Sequence, residues 1–159
     1  MNGVIEIVVK IVMMKMINMT TITEDYVSFE TAKLLKEKGF DSDSISAYYF
    51  FMEGSEPILN RIEPQHFINQ CGGNISLVGC PTLQMAMKWL RKVHNIHINL
   101  DIHWLHFANK NGWMYIIVRI LENGTEFVDA KGDSNDKHFY STYEEACETA
   151  IKYCLVHLI

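Results

Sequence analysis

The stretch IHINLDIHWLHFANKNGWMYIIVRILENGTEFVDA, residues 96–130, determines the predicted fold. Residues 96–104 alternate apolar and polar side chains, and residues 113–121 continue with the same two-residue period, which predicts two strands. Asn123-Gly124 then predicts a two-residue hairpin turn, because asparagine and glycine tolerate the positive φ that such turns require. A returning strand over 125–130 completes an antiparallel meander of three strands.

Helices are predicted before and after this meander along the chain, over 28–38, 81–94 and 142–157. Ser28 is a favourable N-cap and Gly39 a favourable C-terminal stop for the first helix. Pro81 suits the first position of the second helix, and Ser141 with Glu144 forms a capping box for the third.

The remaining elements complete an α+β fold. The aromatic run at 45–52 favours a strand, whereas prolines and glycines leave residues 53–79 without an assignment. The predicted order is α-β-α-β-β-β-α. An antiparallel meander with helices packed on one face is the simplest architecture for that order.

Length, charge and cysteine usage restrict the class of protein. A chain of 159 residues with 48% hydrophobic residues suits one domain with one core. The net charge of −5 argues against a protein that binds nucleic acid through its phosphates. Four cysteines without a CxxC pair do not resemble a disulfide framework or a zinc ribbon, so reduced thiols in the cytoplasm are expected.

The N-terminal residues 1–18 differ from the rest of the chain. They are apolar but too short and too often interrupted by charge to span a membrane, and they make a poor signal peptide. We expect translation to start at Met16 or Met19, which makes 1–18 a non-native leader and 19–159 the single domain. The alternative is an extra edge strand at 4–12.

Three segments of the chain carry a resemblance to a known group. They are YVSFETAKLLKEKGF at 26–40, then PTLQ, KWLR and HNIHI within 81–98, and finally YEEA with Ala150-Ile151. Together they resemble small uncharacterised proteins from bacteriophages and prophages of gut Bacteroidetes, over about residue 24 to the C-terminus. The resemblance implies an accessory protein of a mobile element in the bacterial cytosol. It implies no catalytic or binding residue.

A cluster of histidines suggests a metal site as one alternative. His97 and His103 share a strand face with Asp101, but six residues of extended strand separate the two histidines by about 20 Å. His106 is nearer to His103, and a turn would be needed to bring the two together. A polar sheet face in contact with water is the favoured interpretation, so no metal and no cofactor is predicted.

Cys80 suggests a second alternative, a papain-like cysteine hydrolase. A thiol at the start of the second helix would have its pKa lowered there. His103, with Asp101 or Asn111, would complete the catalytic set. No nucleophile signature surrounds Cys80, so no catalytic residue is predicted. Cys147 and Cys154 are predicted to be core residues, and Cys71 to lie in a tight turn.

The favoured function depends on one face of the predicted strand 113–121. Met114, Ile116, Val118 and Ile120 are assigned to the inner face, and Trp113, Tyr115, Ile117 and Arg119 to the outer face. Aromatic residues with arginine dominate protein interfaces, so the outer set predicts a non-enzymatic module that binds another protein, or itself. The alternative is that residues 53–79 or a helix cover this face. No membrane or nucleic-acid partner is predicted.

Overall fold

The computed structural model describes residues 24–41, 45–52, 54–61, 75–105, 110–132 and 139–159. In chain order the elements are α1 (Phe29–Glu37), β1 (Tyr48–Phe51), β2 (Ile58–Asn60), β3 (Ser76–Gly79), α2 (Leu83–Val93), β4 (Ile96–Leu105), β5 (Lys110–Leu121), β6 (Gly124–Lys131) and α3 (Tyr143–His157). The predicted α+β class is confirmed. Residues 1–18, predicted to be a leader or to include an extra edge strand, lie outside the described residues.

The strands form two antiparallel sheets of three strands each, in the orders β2-β1-β3 and β4-β5-β6. The second sheet is the predicted meander, and its long hairpin keeps one register from Ile96, opposite Arg119, to Leu105, opposite Lys110. The β6 strand contains a bulge, because Val128 is an extra residue between the two pairs that Phe127 and Asp129 make with β5.

The first sheet adds two strands that the sequence did not reveal. Three residues form β2 and four form β3, and both flank β1. A strand of three residues is too short to show a two-residue period, so its pairing depends on β1 rather than on its own pattern.

Two helices begin one or two residues later than predicted. The N-cap of α2 is Thr82, whose hydroxyl accepts the Met85 N–H, so Pro81 precedes the helix rather than opening it. The N-cap of α3 is Thr142, and the Glu145 carboxylate accepts the Ser141 N–H. The capping pair therefore exists, displaced by one residue from the predicted Ser141 and Glu144.

The core lies between the helices and one face of the meander. Tyr115 and Ile117 of β5 belong to a buried cluster with Ile96 and Ile98 of β4. Buried side chains from the helices complete this cluster, among them Leu35, Leu83, Leu90, Ile151 and Leu155. The helices thus cover one face of the sheet, as the meander architecture predicts.

One carboxylate ties α1 to α3. Glu148 of α3 accepts the backbone N–H of Ser28 at 3.2 Å and the Ser28 hydroxyl at 2.5 Å. The hydroxyl of the fully buried Thr31 donates to the same oxygen. In a capping box the N3 side chain accepts the N-cap N–H. Here Thr31 occupies N3, and the acid comes from a helix 120 residues away in sequence.

We expect Glu148→Ala to lower the free energy of unfolding by about 2–3 kcal/mol, because it leaves a buried hydroxyl and the N-cap amide without their charged acceptor. Glu148→Gln keeps an acceptor oxygen and should cost less. Urea denaturation measures both. The control is Glu37→Ala, at an exposed position on α1, and an equal effect of Glu148→Ala and this control would contradict the assignment.

Candidate binding surface

The predicted binding face is in fact the inner face of the sheet. Tyr115 and Ile117 are fully buried beneath the helices, and Trp113 makes an edge-on contact with the Tyr143 ring at 5.3 Å. Trp113 is half-buried, and Arg119, whose side chain is 44% exposed, has its guanidinium 3.6 Å from Glu126. Trp113 and Arg119 reach solvent in part, but the assignment of Tyr115 and Ile117 to an exposed surface is wrong. The alternative that a helix covers them is what the structure shows.

The physical reason is that β5 is apolar on both faces. A two-residue period identifies which residues share a face, but it does not say which face receives the helices. Here the aromatic set, with the Tyr115 ring stacked on Tyr140 at 5.9 Å, packs against the helices. The set predicted to face inward lies on the opposite side.

That opposite side carries an apolar surface, which we call the open face. It consists of Ile116, Val118 and Ile120 on β5 and Phe127 on β6, where Phe127 is directly opposite Val118. Phe127 is 66% exposed and Ile120 36% exposed, whereas Ile116 and Val118 are half-buried. The two-residue period of β5 correctly grouped Ile116, Val118 and Ile120 on one face, but that face was predicted to be the inner one.

Polar residues of β4 border the open face. His97 is opposite Val118, Asn99 opposite Ile116, and Asp101 opposite Met114. Further along the strand, His103 Nε2 lies 3.3 Å from Asp101 Oδ2, and both side chains are half or more exposed. The predicted polar face of β4 in contact with water is therefore present.

The metal alternative finds no support in the described part of the chain. There, no group of three or more histidine, cysteine, aspartate or glutamate side chains is placed to hold an ion. His103 pairs with a single carboxylate, and His106, its predicted partner, lies outside the described residues.

The hydrolase alternative is inconsistent with the position of Cys80. Its thiol is fully buried, its S–H points at the Val27 carbonyl oxygen 3.4 Å away, and burial raises its pKa to about 12. It does not cap α2, because Thr82 does. The proposed partners His103 and Asp101 contact each other in an exposed pair on β4. A buried, protonated thiol is not the activated nucleophile that this mechanism needs.

The other cysteines have equally plain roles where the structure describes them. Cys147 and Cys154 are buried on the inner side of α3, which confirms their prediction as core residues. Cys71 and the glycine-rich turn around it lie outside the described residues.

Comparison with known proteins adds no relative: no family model, no curated protein and no solved structure matches this chain. Among the residues that the structure describes, no helix is long and apolar enough to cross a membrane.

We expect Cys80 to react with iodoacetamide near pH 7 far more slowly than free cysteine, and no faster than Cys147 or Cys154. All three thiols are buried, and burial raises the pKa of each to about 12. Mass spectrometry of the digested protein measures each site separately. Labelling in denaturant is the control, and rapid labelling of Cys80 alone in the folded protein would restore the nucleophile hypothesis.

The same pKa shifts predict a loss of stability in alkaline solution. Below the unfolded thiol pKa of about 8.5 both states are protonated, and the stabilisation from these groups is complete. Above it only the unfolded state releases its protons, so the free energy of unfolding falls by about 1.4 kcal/mol per pH unit for each buried thiol. Denaturation of wild type and Cys154→Ala between pH 8 and 11 tests this, and equal slopes would contradict it.

Proposed function

We propose that this protein is a non-enzymatic protein-binding module, and that the open face is its binding surface. The observation that carries the proposal is the exposure of Phe127, which is 66% accessible and lies on a sheet face that already presents Ile120 and Val118. Removing such a ring from water on binding would supply a large apolar contribution. The proposed function is still protein binding, but the binding surface is the open face, on the other side of the sheet from the predicted residues.

The arrangement of residues on the open face is typical of a protein interface rather than of apolar residues exposed singly. A binding patch typically has an apolar centre surrounded by polar residues that remain accessible at its margin. Here Ile116, Val118 and Ile120 run along the central strand. Asn99 and Asp101 border them on β4, and Thr125 on β6 pairs with Ile120.

The cellular setting of the proposal rests on the resemblance to phage and prophage proteins. A mobile-element accessory protein in the bacterial cytoplasm would meet its partner there, among proteins of the element or the host. The open face favours a protein partner, because the four side chains that define it are apolar and carry no positive charge to attract phosphates.

We expect Phe127→Ser to abolish capture of a partner that wild type retains from a bacterial extract, while circular dichroism shows an unchanged fold. Val156→Ser is the matched control, because Val156 is 56% exposed on α3, away from this face. The captured protein, once identified and purified, should bind wild type and the control at least tenfold more tightly than Phe127→Ser, a difference of about 1.4 kcal/mol. Equal binding by all three proteins would overturn the proposal.

A further inference from the structure

The outer edge of β4 presents backbone groups that β5 does not use. Trp113, opposite Ile102, directs both its N–H and its C=O to Tyr140 on the other side of β5, each at 2.9 Å. Because bonding alternates along an antiparallel ladder, the N–H and C=O of Ile102 point away from β5. The Ile102 N–H is instead donated to the Asp101 carboxylate at 2.8 Å.

Two residue types with which proteins commonly protect an exposed strand are missing from this edge. The β4 sequence, IHINLDIHWL, contains neither lysine nor proline. Its register with β5 is regular over ten residues, whereas the opposite edge strand β6 contains a bulge. Among the described strands, β5 alone pairs with β4.

Two large apolar side chains lie at the same edge. Ile102 is 46% exposed and Trp104 is 50% exposed, and both project from the face of β4 that also carries Leu100. Exposed tryptophan beside unpaired strand backbone is a combination that favours strand addition, in which backbone bonds provide affinity and side chains provide selectivity.

We propose that a second copy of this chain pairs with the edge, β4 against β4 in antiparallel orientation, with the two-fold axis at Ile102. Asn99 to Leu105 of each copy then lie opposite Leu105 to Asn99 of the other. Ile102 meets Ile102 of the second copy and exchanges backbone hydrogen bonds with it. Asp101 releases the Ile102 N–H and lies opposite His103 of the second copy.

Hydrogen-bonding complementarity between the Asp101 carboxylate and the His103 imidazole selects this register over its neighbours. The two-fold axis places each Asp101 beside a histidine of the other copy, and does so twice. In such an antiparallel pair these residues form the closer, non-hydrogen-bonded type, with Cα atoms about 4.5 Å apart. A shift that centres the axis on Asp101 would place two carboxylates opposite each other, which is unfavourable. A shift that centres it on His103 would leave Asp101 opposite the apolar Leu105.

The paired edges would join two three-stranded sheets into one continuous sheet of six strands. Trp104 of each copy would lie opposite Leu100 of the other, on the same face as Ile102. An interface of this size falls at or below the lower end of the usual range, about 1,200 Å². The expected assembly is therefore a dimer that dissociates on dilution, and its open faces, on the opposite side of the sheet, stay accessible.

Sedimentation velocity of the full chain over a concentration series tests the pairing. We expect the wild-type dimer to have a dissociation constant below about 0.5 mM. Ile102→Lys should raise that constant at least tenfold, because one substitution brings two like charges together at the axis. Leu121→Lys is the matched control, since Leu121 is 50% exposed at the other end of the hairpin. A monomeric wild type, or an equal effect of both substitutions, overturns the proposal.

A charge exchange tests the register itself. His103→Glu alone should weaken the dimer, because it places carboxylates of both copies together at the axis. Asp101→Lys combined with His103→Glu should restore dimerisation, since lysine and glutamate then face each other twice. Absence of this rescue contradicts the register.

The outcome is independent of the proposed function, because the variants lie on different strands. Phe127→Ser should dimerise as wild type does, and Ile102→Lys should still capture the partner of the open face.

Discussion

The hydrogen bonds that Glu148 accepts from Ser28 and Thr31 hold α1 and α3 together, and the rest of the structure depends on the layer that these two helices form. They join the start of α1 to the middle of α3, two helices from opposite ends of the described chain. Lys152, one turn further along α3, lies 3.3 Å from Glu30 of α1 and strengthens the same junction. With α1 and α3 fixed to each other, their apolar sides form a single surface, and that surface determines which side of the meander is buried.

The sequence predicts features that a few neighbouring residues encode by themselves. Ser28 caps α1 as expected, Gly39 adopts its expected positive φ of 86°, and the long hairpin of the meander forms where the alternation begins. Glu148 could not be foreseen as a cap, because the spacing of a capping box is local and this acid comes from another helix. The two short strands around β1 depend in the same way on their pairing partner.

The orientation of the meander was not predictable for a related reason. Both faces of WMYIIVRI, residues 113–120, are apolar enough to be buried. In the folded protein the side that carries Tyr115 is the buried one, and the Tyr115 ring stacks on Tyr140. A face assignment inverted by this ambiguity exchanges the two sides of the strand, which is why the predicted binding residues Tyr115 and Ile117 lie in the core. The predicted inner residues Val118 and Ile120 lie on the open face.

The exposed apolar end of β4 follows from a mismatch in length between the two layers. A strand of ten residues extends about 33 Å, whereas the fifteen-residue helix α3 extends about 22 Å. The helices bury Ile96 and Ile98 near the start of β4, but Ile102 and Trp104 extend beyond them. A helix layer that covered the whole strand would have buried both side chains within the monomer. The long hairpin therefore leaves an apolar end beside an edge with which no described strand pairs, and pairing with a second such edge would bury both at once.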